Sequence, residues 1–190
     1  MIDFEKITRI DDMEIEPATL VFTEKVREWC KLPYPGYKHG CPSNCEARNT
    51  PTSEWEKRVK NNHDVFTLVW IELDFAEYKR LRKMDHENWS ERMLGNSRHW
   101  QNSVKSLLSA YLTENYPLCD TCASCLGAGS GLKGQPSMEA CGIFVFNTLV
   151  KNGIKFEKKP MTKDLMVTLV MENSRTRKPM TLDKFFGVKT

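Results

Sequence analysis

Seven cysteines carry the chemistry, and they fall in two groups. Cys30, Cys41 and Cys45 form one, Cys119, Cys122, Cys125 and Cys141 the other, with none in residues 46–118. A C-x2-C-x2-C run such as Cys119, Cys122 and Cys125 lets one short turn bring three thiolates to a single inorganic centre. Iron–sulfur clusters are held this way, with a remote fourth cysteine completing the set. Cys141 is the natural fourth ligand, because it follows a Gly-rich loop and is expected in the first turn of a helix, where backbone N–H groups and the dipole favour thiolate charge. Zinc would accept the same four sulfurs tetrahedrally. Its usual pattern is two separated C-x2-C pairs, so the run with Gly and Ser around it favours a cluster, [4Fe-4S] in type, with structural zinc as the alternative.

The first group supplies only three thiolates. In one reading His39 adds a fourth ligand, or the fourth iron of a second cluster is left open for a small sulfur-containing substrate. An open position is what makes a metal site catalytic, and removal or delivery of sulfur would then be the enzymatic activity. In the other reading Cys30, Cys41 and Cys45 are ordinary loop cysteines, or some of them join the second group.

These readings need reduced thiols. The opening residues MIDFEKITRIDDMEIEP hold six acidic and two basic side chains and no apolar run, unlike a signal or transit peptide. The longest apolar stretch, CGIFVFNTLV, is about half a bilayer span. A cytoplasmic protein is therefore expected, where clustered cysteines bind metal or do redox work more often than they form disulfides. The odd number of cysteines argues the same way. With 28 Lys+Arg, 25 Asp+Glu and 40% hydrophobic residues, the chain has material for a core and no excess charge for nucleic acid. The expected organisation is one metal-binding domain over 1–190, with an acidic leader at 1–17 and a basic extension at 172–190.

The elements that must position the cysteines follow from periodicity. PATLVFTEKVREWC reads as an amphipathic helix ending at Cys30. KLPYPGYKHGCPSNCEARNTP is too rich in Pro, Gly and Asn for a helix or a central strand, so it is a cysteine-bearing loop. Thr52 or Ser53 is expected to cap the helix SEWEKRVKN, and DVFTLVWIEL reads as a buried strand. From Asp74 to about Tyr116 the composition is helical with a break at Leu94-Gly95-Asn96, and Trp100, Val104, Leu107, Leu108, Tyr111 and Leu112 make one apolar stripe. LCDTCASCLGAGSGLKGQP is the second cysteine-bearing loop. Pro136-Ser137 is expected to open the helix MEACGIFVFNTLVKNG, which stops at Gly153, and DLMVTLVMEN reads as another strand. The expected fold is α+β: a small sheet including 64–73 and 164–171, packed with several helices and carrying two metal-binding loops.

WCKLPYPGYKHGCP, NYPLCDTCASC and QPSMEACGIFVFNTLVKNG resemble a family of small cysteine-rich prokaryotic proteins described as predicted metal-binding proteins of unknown function. The resemblance runs from about Cys30 to about Val170 and rests on the C-x2-C-x2-C run and the PSMEA-x-GI-x-V-x-x-T stretch. It implies a cytoplasmic metal or iron–sulfur protein and names no reaction. Similar proteins commonly carry a cysteine shortly before the Pro-Ser-Met-Glu-Ala stretch, where this chain has Gly131-Leu132-Lys133-Gly134. They also tend to have a later Cys-Pro, where this chain has Asn49-Thr50-Pro51 and offers Cys45.

Other candidates have simpler readings beside the functional ones. Glu139 could orient a ligand, though an acidic residue in a first helical turn is favoured by the dipole alone; Ser137 is most simply the cap. His86, His99 and Arg98 flank the expected helix break as pocket or as polar surface, and His63 reads as a loop residue. Trp29, Tyr34 and Tyr37 would either shield a cluster or pack locally. GAGSGLKG lacks phosphate-loop spacing and follows no strand. SRTRKP reads as a solvated basic face. The function read from all this is an iron–sulfur protein in electron transfer or sulfur-centred redox chemistry, working with a redox partner or a small sulfur-containing substrate. The alternative is a zinc-organised binding module.

Overall fold

The computed structural model describes residues 2–29, 32, 49–116, 120–123 and 137–175, with 120–123 given by their backbone. Two central strands, β2 (Val65–Asp74) and β4 (Lys163–Glu172), pair antiparallel with Leu68 opposite Leu169 and Trp70 opposite Val167. Strand β1 (Thr8–Ile15) flanks β2 and the short β3 (Asp120–Ala123) flanks β4, so the antiparallel order is β1-β2-β4-β3. Helices α1 (Glu24–Trp29), α2 (Thr52–Asn62), α3 (Phe75–Asp85), α4 (Glu91–Leu94), α5 (Gln101–Asn115) and α6 (Val145–Lys151) complete the described elements. The class is α+β, as expected.

β2 and β4 are nearly continuous apolar runs because both their faces are covered. Val69, Ile71 and Leu73 of β2 join Met166 and Val170 of β4 on one face, against Tyr78 of α3 and Val104, Leu108 and Leu112 of α5. Phe66 and Leu68 join Val167, Leu169 and Met171 on the other, against Leu20, Val59, Met138, Cys141, Ile143 and Leu149. The stripe expected on α5 is the one buried. α3 is capped by the Asp74 side chain, which accepts from Glu77 N at 2.9 Å.

The structure corrects several expectations. Residues 8–15, expected within an acidic leader, form β1: Ile10 and Ile15 pair with Ile71 and Phe66, while Asp11, Asp12 and Glu14 charge the outer edge and discourage further strand pairing. Tyr111 of α5 donates to Asp12 at 2.6 Å, tying this edge to the helices. The helical region 74–116 breaks twice, once at 86–90 as well as after Leu94. At the first break Trp89 lies between His86 and His99, at ring distances of 4.1 and 4.7 Å. Neither Thr52 nor Ser53 caps α2; Pro51 O accepts from Glu54 N and Trp55 N instead. The helix expected over 17–30 is confined to α1. Residues 20–23 are extended because their backbone bonds go elsewhere: Phe144 N donates to Val21 O at 2.7 Å and Thr23 N to Gly142 O at 2.8 Å.

Candidate metal centre

The segment 137–144 replaces the expected long helix with one capped turn. Ser137 is the cap, its hydroxyl accepting from Ala140 N at 3.0 Å. Cys141 N donates to Ser137 O, Gly142 N to Glu139 O and Ile143 N to Met138 O, at 3.0, 3.0 and 2.8 Å. The last two bonds, with Gly142 at φ +86°, are those of a Schellman closure. Cys141 therefore sits at the end of a single turn, not at a helix N-terminus as expected, so no helix dipole favours its thiolate. It is 0% exposed, in the cluster with Met138, Ile143, Leu68 and Leu169. The following chain forms a bridge with Phe22 before α6 begins.

Gly142 is required by packing as well as by φ. A Cβ there would lie 2.4 Å from Cγ2 of Thr52, the first residue of α2. The turn is thus pressed against the place where the chain returns from the first cysteine segment, and α1, where the chain enters that segment, packs Trp29 edge-on against Phe144 at 5.5 Å. Polar contacts hold the entry and exit together. Arg27, only 9% exposed, pairs with Glu24 and donates from Nη1 to Thr50 O, while Thr52 N donates to Glu24 Oε2 at 3.3 Å. Arg27 Nε and Thr52 Oγ1 are buried without an acceptor or donor among the described residues. These contacts were not legible beforehand; the Gly142 kink alone left a trace, in the Cys-Gly-Ile step.

Backbone register relates the second cysteine group to this turn. On β3, Cys122 is opposite Leu169 and Asp120 is opposite Met171. Leu169 and Met171 belong to the same apolar cluster as Cys141. Cys122 thus occupies a register position on the Cys141 face of the sheet, at its β3 edge. Cys30, Cys41, Cys45, Cys119 and Cys125 lie outside the described residues, as do His39, Tyr34, Tyr37, the Gly-rich loop and the basic residues after Arg175. Among the described residues no three His, Cys, Asp or Glu side chains come together as a metal site. His86 and His99 are on the helical face, away from Cys141.

The family profile that matches the chain spans residues 13–171 and carries the description Predicted metal-binding protein (DUF2284). The chain belongs to this family. The match takes in both cysteine groups, the 137–144 turn and both central strands. No curated protein and no solved structure matches the chain. Among the described residues no helix is long and apolar enough to cross a membrane.

The donor chemistry fits what the family description requires. Cys141 lies in an apolar cluster and Cys122 holds a register position on the same face of the sheet, and cysteine sulfur is a donor that thiophilic metals accept.

Proposed function

We propose that the chain holds an iron–sulfur cluster, [4Fe-4S] in type, on Cys119, Cys122, Cys125 and Cys141, and works in electron transfer or sulfur-centred redox chemistry. The observation that carries this reading is the register of β3, which supports bringing the C-x2-C-x2-C run to the face where Cys141 is buried. A bound cluster would supply one-electron redox chemistry, with a potential set by burial and by hydrogen bonds to sulfur. The protein's part is to exclude water through Met138, Ile143 and Leu169 and to keep Cys141 fixed by the Ser137 cap and the Gly142 closure. Cys30, Cys41 and Cys45 are proposed as a second group with a vacant position. A redox partner or a small sulfur-containing molecule would meet the protein at that group. The whole chain, 1–190, acts as one metal-binding domain in this reading.

Anaerobic purification with metal and sulfide analysis tests it. A brown protein with iron and acid-labile sulfide, whose visible absorption bleaches on reduction, is expected. A colourless protein with stoichiometric zinc overturns the cluster and leaves the structural module. Cys122→Ser and Cys141→Ser should each lose metal, whereas a Cys141→Ser protein with full metal content removes Cys141 from the ligand set. Cys45→Ser separates the two groups: it should lower metal content only if the first group holds metal.

A further inference from the structure

Four aromatic rings run in series along the edge of the cysteine face. Trp29 meets Phe144 at 5.5 Å, Phe144 meets Phe146 at 6.3 Å, and Phe146 stacks on Phe156 at 5.1 Å. They wall a cavity of about 320 Å³ whose polar lining includes Glu139, Glu157, Asp164 and Lys158. That volume lies at the small end of the range for small-molecule sites, roughly 300–1,000 Å³. Trp29 and Phe146 remain 42% and 43% exposed, so much of this aromatic surface stays uncovered by the described residues.

The charges choose the ligand. Three carboxylates face one lysine, and Lys158 is exposed. Glu157 is already committed: its carboxylate accepts from Met161 N at 2.6 Å, from Thr162 N at 3.1 Å and from the Thr162 hydroxyl. Asp164 has no ion-pair partner among the described residues. An anion would be repelled, and the three carboxylates do not converge as a metal site among the described residues. A cation with apolar substituents satisfies both the ring faces and the carboxylate.

We propose that this cavity binds a small organic cation, an alkylammonium on an apolar body, with Asp164 facing the charge and Phe144, Phe146, Phe156 and Trp29 facing the carbon. Burial, with the Glu157 charge adding to it, pushes Asp164 up to about 6, and a bound cation relieves that cost. The cavity shares Trp29 with the entry to the first cysteine group, so a bound molecule would lie beside it. That adjacency to metal rests on the function proposed above, whereas cation binding does not.

Calorimetric titration of the full chain with benzyltrimethylammonium, benzyl alcohol and benzenesulfonate tests the inference, with metal content measured on the same sample. Saturable binding of the cation at pH 8 is expected, weaker for the alcohol and absent for the sulfonate. Asp164→Asn should weaken the cation by about tenfold or more, the loss of one charged contact. Binding should also weaken as pH falls through 6, because Asp164 takes up a proton; Glu139, Glu157 and Lys158 face the same space and are controlled by Glu139→Gln and Lys158→Met. Phe146→Ala, at an exposed ring, should weaken the cation too and serves if Asp164→Asn does not fold. Equal binding of cation and alcohol, no saturable cation binding, or unchanged affinity in both variants overturns the inference. Metal with no cation binding defeats this site alone, and cation binding with no metal defeats the metal centre alone.

Discussion

The two faces of the sheet are built differently. One is sealed by α3 and α5, regular helices whose apolar stripes interlock with Val69, Ile71 and Val170. The other is covered by short, irregular pieces: an extended strip at 20–23, one capped turn at 137–142 and the seven-residue α6. A helix satisfies its own backbone, so it can cover a sheet without help from distant chain. The cysteine face instead satisfies its backbone by bonds such as Phe144 N to Val21 O, between segments more than 120 residues apart. It is the face where Cys141, a kinked glycine and a cavity coexist, and its order depends on several segments holding one another.

Variants on the two faces should therefore fail differently. Gly142→Ala places a methyl within 2.4 Å of Thr52 in a left-handed backbone, and should destabilise by on the order of 2–5 kcal/mol. Denaturant unfolding should show this, with metal content lost in step. Leu108→Ala, fully buried on the helical face, should cost a similar ~2–5 kcal/mol but leave metal per folded molecule unchanged. If Leu108→Ala strips metal as readily as Gly142→Ala, the contrast between the faces fails.

Smaller effects sharpen the comparison. Ser137→Ala removes the cap of the Cys141 turn and should cost about 0.5–2 kcal/mol, with metal loss accelerated in a chelator challenge. Tyr111→Phe removes the bond to Asp12 on the other side and should cost ~1 kcal/mol with chelation kinetics unchanged. A pH effect on Tm separates two carboxylates at the rim of the cavity. Glu157 is held down at about 2 by the Thr162 and Met161 donors, so its contribution is complete above pH 4.5 and is lost as pH falls toward 2. Asp164, raised to about 6 from 3.8, binds its proton more tightly when folded, so stability falls as pH rises from about 4 to 6. Asp164→Asn should abolish that fall and leave the acid loss intact.

Several elements were legible because their signals are local. The strands at 65–74 and 163–172 are long apolar runs between turn residues, and the α5 stripe repeats at helical spacing. The edge strand β1 was hidden because Asp11, Asp12 and Glu14 interrupt its apolar residues on both faces, and a charged edge strand looks like a solvated leader until its partner is known. Thr52 looks like a cap from its neighbours alone because nothing local reveals that it is pressed against Gly142. Of the proposed ligands, Cys122 and Cys141 gain a spatial relation only through β3 pairing with β4, which no spacing rule contains.

The sequence alone determined the cysteine inventory, its C-x2-C-x2-C spacing, the α+β class and the two central strands, since each depends on residues close together in the chain. Only the tertiary structure decided where the helices at 20–23 and 137–144 give way, that Cys141 ends a capped turn in an apolar cluster, and that four aromatic rings line a carboxylate-bearing cavity. In each case the deciding interaction joins backbone or rings far apart in sequence, and a hydrogen bond made across the fold outweighs the helical bond that the local pattern favours.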